Sequence, residues 1–477
     1  MTYEMIKKKR IEYGISQIKL AKKAKIHPAL ISSFELKKIE PSEKQLNLVT
    51  VALNDLIHSI DFLGLNINKK RIQKSTNLNK NNKLPKRIES SREYNAAINL
   101  RNFPMTDFTK MLSDLNRKFN TPTKNNVPKA ISLFSGAGGL DYGFKACGFD
   151  LVGHVELESF AREIYEMNYP NSKSLGTDIS SITDDEILSW KNLFGTIDII
   201  IGGPPCQGFS LAGKRDPYDA RNQLYKYYVN IVSKIKPKVF VMENVKLLTS
   251  MKDENGTFFI DKIKKAFEDV GYNLHISEIN ACEYGIPQSR ERLIIVGVSD
   301  SLSFSNYTFP KATFSNSYDT DLFSISMRFR TFRDATKDLP ALENGEKSCD
   351  PLHWSITHPD HIIRWLKDVP EGCSAHENKD SSLRPPSGFN TTYKRIKWDE
   401  PCSTISTNFS MISGCRNVHP TSTRSLTIRE ACRCQTFPDE YIFVGNWGNI
   451  RKVIGNAVPP LLSYTIAESI KKQLFNF

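Results

Sequence analysis

Cys206 stands in IDIIIGGPPCQGFS, residues 197–210, where a short apolar run meets two glycines and two prolines and then presents a thiol. The thiolate is the nucleophilic form of cysteine, so a thiol held on a rigid turn is a candidate for covalent chemistry. A buried structural Cys after a strand is an equally good reading of this spacing. Glu243, in ENV at 243–245, and Arg290 and Arg292, in QSRER at 288–292, are the other charged groups of interest. Taken one at a time, they also read as a surface carboxylate and a solvated pair of cations.

These residues need a frame. From Lys129 the chain alternates candidate strands (130–134, 151–155, 197–201, 239–242, 274–279 and 292–298) with candidate helices at 160–168, 223–235 and 259–270. Such alternation predicts an α/β domain, a mostly parallel sheet covered by helices. Ile199–Ile201 has a buried strand's length and β-branching, and the Gly-Pro cluster stops it. Cys206 then falls just past a strand's carboxyl end, where open α/β sheets build their sites. The loop FSGAGG, 134–139, follows the first strand and opens a helix, so its glycines allow a ligand to approach backbone N–H groups. Glu156, after the second strand, could bind ribose hydroxyls, and Asp178, in GTDIS, could accept from an adenine amino group. Together they suggest an adenosyl ligand.

Pro205-Cys206, DARNQL (219–224), Glu243-Asn244-Val245, QSRER, RSLTIREACRCQTFPD (424–439) and GNAVPP (455–460) occur in that order. Over about 129–470 this set resembles the cytosine-C5 DNA methyltransferases, which use S-adenosylmethionine. The resemblance implies a Rossmann-like methyltransferase core in which Cys206 is the nucleophile. Cytosine C5 is a poor nucleophile, so a thiolate must first add at C6. Glu243 would then bond or protonate N3, and Arg292 would bind O2, with Arg290 close by. Phe134, Gly136, Gly138, Gly139, Leu140, Glu156, Asp178, Ile179 and Pro204 would hold the cofactor, with Asn456 and Val458 closing its pocket. No metal is required. The target base must leave the stack, because C6 is inaccessible in a duplex.

The net charge of +13 is uneven. Residues 1–126 contain 25 Lys+Arg and 11 Asp+Glu, and the remainder 40 and 41, so the N-terminal quarter carries the whole excess. That asymmetry points to nucleic acid. SQIKLAKKAKIHPALISSFE, 16–35, resembles the helix-turn-helix of phage repressors, whose second motif helix enters the major groove. Gln17, His27, Ala29, Ser32 and Ser33 are its candidate DNA contacts, with Lys37 and Lys38. Lys25 stands where the turn usually carries Gly, and Pro28 and Ala29 replace the usual polar readers.

The expected division is a helix-turn-helix domain at 1–65, a basic linker with a short helix at 66–128 and a catalytic domain at 129–299. A smaller, irregular target-recognition domain at 300–444 and a return to the catalytic domain at 445–477 complete it. Thr404-Ile405, in PCSTIS, resembles the family's short element near the end of the recognition region. The other eight cysteines read as structural, and the loose group His353, His358, His361 and His376 matches no zinc-site spacing and reads as phosphate-binding or packing residues. No apolar run approaches membrane-spanning length, and MTYEMIKKKR lacks a signal peptide's apolar segment, which places the chain in a bacterial cytoplasm near the nucleoid. The leading expectation is a restriction-modification methyltransferase acting on duplex DNA and paired with a restriction endonuclease, its N-terminal domain a possible dimer on an operator. A tRNA cytosine methyltransferase and a DNA-binding transcriptional regulator are the alternatives.

Overall fold

The structure, a computed structural model, describes residues 2–12, 15, 17–26, 30–31, 34, 40–62, 88, 94, 103–205, 223–253, 255–302, 306–316 and 326–475. At its centre is a seven-stranded sheet. Its strands are β1 (Lys129–Leu133), β2 (Asp150–Val155), β3 (Lys173–Gly176), β4 (Ile199–Gly202), β5 (Val239–Val245), β6 (Tyr272–Asn280) and β7 (Glu291–Ser299), in the order β3-β2-β1-β4-β5-β7-β6. β1 to β5 pair in parallel, whereas β7 runs antiparallel to both β5 and β6. One strand is thus reversed within an otherwise parallel sheet. β3 escapes the sequence pattern because KSLG lies half exposed at the sheet's edge and carries no apolar run.

Successive side chains of a strand point to opposite faces, so a strand covered on both faces must be apolar throughout. Ile199 and Ile201 enter one core and Ile200 the other. The second core packs against α7 (Asp184–Phe194), α8 (Leu224–Ile235) and α9 (Phe259–Glu268). The first packs against α5 (Gly139–Ala146), α6 (Ser159–Asn168) and the C-terminal helix Pro460–Ile470. The chain's end therefore returns to the sheet's face, as the apolar stretch 461–474 predicts.

Packing draws the domain boundaries differently from sequence texture. The expected linker contains α4 (Asp107–Phe119), whose Leu115 and Phe119 lie in the main core, and Ile88 and Tyr94 are buried there too. The Tyr94 hydroxyl donates to the Asp439 carbonyl and accepts from the Arg429 guanidinium. The irregular region from 300 onward is also split. Phe332, Leu352, Trp354 and Leu426–Val444 join the main core, while Leu366, Val369, Ala375, Tyr393, Ile412 and Val418 form a small core of their own. Within 424–439 every arginine is buried and paired. Arg424 is held by Glu430, Arg429 by Asp350 at 2.7 Å, and Arg433 by Asp338 at 2.6 Å and Asp439 at 2.7 Å. Such pairs seldom add net stability, but breaking one strands a buried charge.

The N-terminal segment has its own small core, built from α1 (Tyr3–Glu12), α2 (Gln17–Ala24) and α3 (Glu43–Phe62). Val49, Ala52, Leu53, Leu56 and Ile57 form α3's buried stripe at helical spacing. Lys25 adopts φ 55°, the left-handed backbone for which Gly is usual at this turn. Leu30, Ile31 and Phe34 are helical, with Ile31 and Phe34 buried.

Of the grouped histidines, His353 is fully buried, its ring nitrogens on the Thr427 hydroxyl and the Pro340 carbonyl, and His358 pairs with Ser425. Burial holds the imidazoles of His154, His358 and His419 below their ordinary value, to about 4, 4 and 3. The unfolded chain takes up those protons near pH 6.5, so their contribution is fully present above that pH and is lost as pH falls toward 4. Asp141, fully buried, has its pKa raised by burial to about 6 and opposes them: its contribution declines as pH rises from about 4 to 6. Burial lowers His353 as well and raises Glu156, so four imidazoles against two carboxyls predict a lower unfolding midpoint at pH 5 than at pH 7. Asp141→Asn removes one opposing carboxyl and steepens that fall. Thermal unfolding of both proteins across this range checks it, and a shallower fall in the variant contradicts it.

Candidate active site

Four strands deliver the sequence's candidate residues to one edge of the sheet. β1, β2 and β4 end in Phe134, Glu156 and the loop 203–205, and β5 carries Glu243 near its carboxyl end. The chain leaves β1 toward β2 on one side, while β4 lies on the other, so the crevice at their ends is the sheet's topological switch point.

On the β1 side, Phe134 is left-handed at φ 54° and turns the chain into the glycine loop. The Gly136 N–H donates to Glu156 Oε2 at 2.8 Å, and the Glu158 N–H to Glu156 Oε1 at 2.8 Å. Burial raises the Glu156 pKa, and these two N–H groups partly offset it. A Cβ on Gly136 would meet nothing within 4 Å, whereas one on Gly139 would lie 2.5 Å from the Val458 carbonyl oxygen. The loop is therefore backed by GNAVPP on one side and open on the other. Leu140, Ile179, Pro204 and Val458 are buried, and Asn456 is exposed at the end of the helix Trp447–Asn456. Asp178 is committed locally: its Oδ1 accepts from the Ser180 N–H and hydroxyl, which lowers its pKa.

On the β4 side, Gly202 packs against β1 so closely that a Cβ would fall 2.3 Å from the Leu133 carbonyl oxygen. A Cβ on Gly203 would lie 2.9 Å from Glu243 Oε2. Asn244 Nδ2 donates to the Pro204 carbonyl at 3.1 Å, fastening this loop to β5. Arg292 Nε meets Glu243 Oε1 at 2.8 Å, because antiparallel pairing sets β7 beside β5 with Val245 opposite Arg292. The pair is mostly shielded, with side-chain exposures of 14% and 13%. Cys206 itself lies outside the described residues, as do His27, Ala29, Ser32 and Ser33 of the helix-turn-helix; Gln17 opens α2.

Arg290 takes a different place from the one expected beside the base. Its guanidinium is 1% exposed and donates to the carbonyls of Ile405 (3.1 Å), Gly455 (3.0 Å) and Ala457 (2.9 Å). Burial, and then the charge of Arg292, lowers its pKa. Two residues along a strand point the same way, but the ladder carries Arg292 to Glu243, while Arg290 precedes β7 and turns into the protein. It is a positioning residue that clamps PCSTIS and GNAVPP together. Gln288 acts beside it, accepting the Ile405 N–H and donating to Gln435.

The family model described as C-5 cytosine-specific DNA methylase matches residues 128–472, most of the chain and the whole sheet. The chain belongs to that family. The enzyme is accordingly a DNA (cytosine-5-)-methyltransferase, and such enzymes use S-adenosylmethionine. A second family model, for a helix-turn-helix, matches residues 6–54. The methyltransferase is 34% identical over 349 residues to the type II methyltransferase M1.HphI of Haemophilus parahaemolyticus, covering 72% of this chain and 87% of that protein. It is 32% identical over 381 residues to M.DdeI of Desulfomicrobium norvegicum, covering 71% and 88%. A solved structure from E. coli, a putative DNA modification methyltransferase encoded within a prophage, superimposes with TM-score 0.56 at 26% identity, covering 73% of this chain and 99% of that one. These relatives place the methyltransferase among enzymes of restriction-modification type.

Among the described residues, no helix is long and apolar enough to cross a membrane, and no cluster of three or more His, Cys, Asp or Glu could hold a metal. Sequence reasoning missed Tyr169 and Tyr441, whose hydroxyls bond the glycine loop's carbonyls. Nothing in their local sequence marks that role.

Proposed function

We propose that the methyltransferase modifies C5 of a cytosine flipped from duplex DNA, through a covalent bond between Cys206 Sγ and C6. The observation that carries this is the shielded Glu243–Arg292 pair against Gly203. In the sequence Cys206 follows that glycine by three residues and the anchored Pro204 by two. On this reading acid, cation and thiol serve one flipped base.

The chemistry follows from those three groups. The Cys206 thiolate adds to C6, and the electrons of the C5–C6 bond make C5 nucleophilic. Glu243 stabilises this adduct by hydrogen-bonding or protonating N3, and Arg292 binds O2, where negative charge also gathers. S-adenosylmethionine, when bound, supplies the electrophilic sulfonium methyl that C5 takes up. Transfer of the C5 proton to water, with the C6–S bond breaking to release the Cys206 thiolate, restores the aromatic ring. Gly136, open on one side, with Glu156 fixed beneath it and α5 starting at Gly139, fits an adenosyl ligand. Asp178 and Asn456 complete the assignment, with Pro204 and Val458 as apolar walls.

The names of the relatives support a further step, protection of DNA from a partner restriction endonuclease. Bisulfite sequencing of DNA from cells expressing the enzyme is expected to show one short motif methylated at C5. Tritiated methyl transfer should favour duplex DNA over tRNA by at least about 100-fold, since discrimination of that size needs only about 3 kcal/mol. Equal transfer to tRNA overturns the DNA assignment. The match at 6–54 favours a second role, in which this domain, as a dimer, binds an operator and represses the enzyme's own gene. Footprints on that promoter should then vanish on deleting residues 1–90, and unchanged protection refutes the role.

A further inference from the structure

α4 lies outside both matched segments, 6–54 and 128–472, yet it ends inside the methyltransferase's working parts. Its first turn is capped by Thr106, and Phe108 and Leu112 pack on Ala335. At its other end Phe119 stacks on Tyr142 of α5, with ring centroids 4.2 Å apart and planes 8° apart. The same ring meets Tyr169 edge-on at 5.4 Å and Tyr441 at 6.3 Å.

Those two tyrosines hold the glycine loop from behind. The Tyr169 hydroxyl donates to the Gly138 carbonyl at 2.6 Å, and the Tyr441 hydroxyl donates to the Ala137 carbonyl. A planar trans peptide points its C=O and the next N–H in opposite directions. Fixing the Gly138 carbonyl on Tyr169 therefore aims the Gly139 N–H the other way, at the open end of α5. Fixing the Ala137 carbonyl likewise sets the Gly138 N–H, which bonds the Ser135 carbonyl at 2.9 Å and closes the turn. Gly138 has φ 81°, and a Cβ there would lie 2.3 Å from Tyr169 Cε2. The tyrosine ring thus occupies the space a side chain would take.

We propose that Phe119, Tyr169 and Tyr441 are positioning residues for the cofactor loop, and that α4 is a working part of the S-adenosylmethionine site. The inference rests on assigning the glycine loop to that ligand. Phe119 sets the two tyrosine rings, and the rings set two peptide planes. The segment joining the DNA-binding domain to the catalytic domain thereby bears on cofactor affinity.

The test uses the full-length enzyme and titration with S-adenosylmethionine alone, followed by turnover on duplex DNA at saturating cofactor. Tyr441→Phe removes one oxygen and keeps the ring, so the fold persists while the Ala137 carbonyl loses its donor. We expect Kd for S-adenosylmethionine to rise about tenfold in Tyr441→Phe and in Phe119→Leu, the size of one lost hydrogen bond. Saturated kcat should stay within about twofold, because uniform binding is what is lost. Phe119→Tyr keeps the stack and should restore wild-type Kd. A purely structural role would lower the melting temperature without moving Kd well below it. Unchanged Kd in Phe119→Leu and Tyr441→Phe, with binding lost in Glu156→Gln, overturns the brace. Unchanged Kd in all three instead overturns the cofactor assignment beneath it.

Discussion

Cys206→Ala is expected to abolish methyl transfer to duplex DNA while leaving S-adenosylmethionine binding intact. The loss should reach about 10⁴-fold or more, the scale on which removing a covalent nucleophile disables an enzyme. Without the C6 adduct, Glu243 and Arg292 have no developing charge to stabilise, so their contributions disappear with the thiol. Cofactor binding survives because the groups assigned to it stand elsewhere: Phe134 after β1, Glu156 after β2 and Val458 behind the loop. A second readout isolates the covalent step. In duplex DNA carrying 5-fluorocytosine, the adduct forms and accepts methyl, but fluorine cannot leave C5 as a cation. The wild-type enzyme should therefore remain attached to that DNA under denaturing conditions, and Cys206→Ala should not. Full activity in the variant, or a trapped complex without the thiol, removes Cys206 from the mechanism.

The second large effect separates two arginines that sequence alone treats alike. Arg290→Ala should destabilise the catalytic domain by roughly 3–5 kcal/mol, because three carbonyls, two of them in buried contacts, lose their donor and a void replaces the side chain. Arg292→Ala should cost less stability, roughly 1–3 kcal/mol, since it leaves one mostly shielded carboxylate, Glu243, without its partner. Its larger cost falls on turnover, about 10²–10³-fold, as for other groups that bind charge forming in the transition state. Denaturant unfolding and steady-state turnover on each variant check both halves. Native stability with lost turnover in Arg290→Ala would return that residue to the substrate and refute its role as a clamp.

Much of this protein is legible locally. The run Ile199–Ile201 has to be buried on both faces, and the glycines and prolines after it have to end the strand, so the placement of the loop before Cys206 follows from residue types. The sheet's other internal strands yield to the same reasoning, and only the short polar edge strand Lys173–Gly176 does not. The charge excess in residues 1–126 and the helix-turn-helix pattern likewise belong to contiguous sequence. Glu243 and Arg292 are visible as motifs, although their 2.8 Å contact depends on β7 running against β5.

What only the tertiary structure decided lies between residues far apart in the chain. Arg290 is a clamp because its three acceptors, 115, 165 and 167 positions away, converge on it. Tyr441 braces a carbonyl 304 residues distant, and α4, which looks like an interruption in a linker, closes over the same tyrosines. Periodicity and turn chemistry report how a segment folds against solvent and its own backbone. They carry no information about which distant carbonyl will need a donor, because that demand arises only once the sheet has brought the loops together. The sequence determined that a thiol, an acid, a cation and a glycine loop exist at the ends of strands. The fold determined which of them face one another, because burial obliges each polar group to find its partner wherever the packed chain places it.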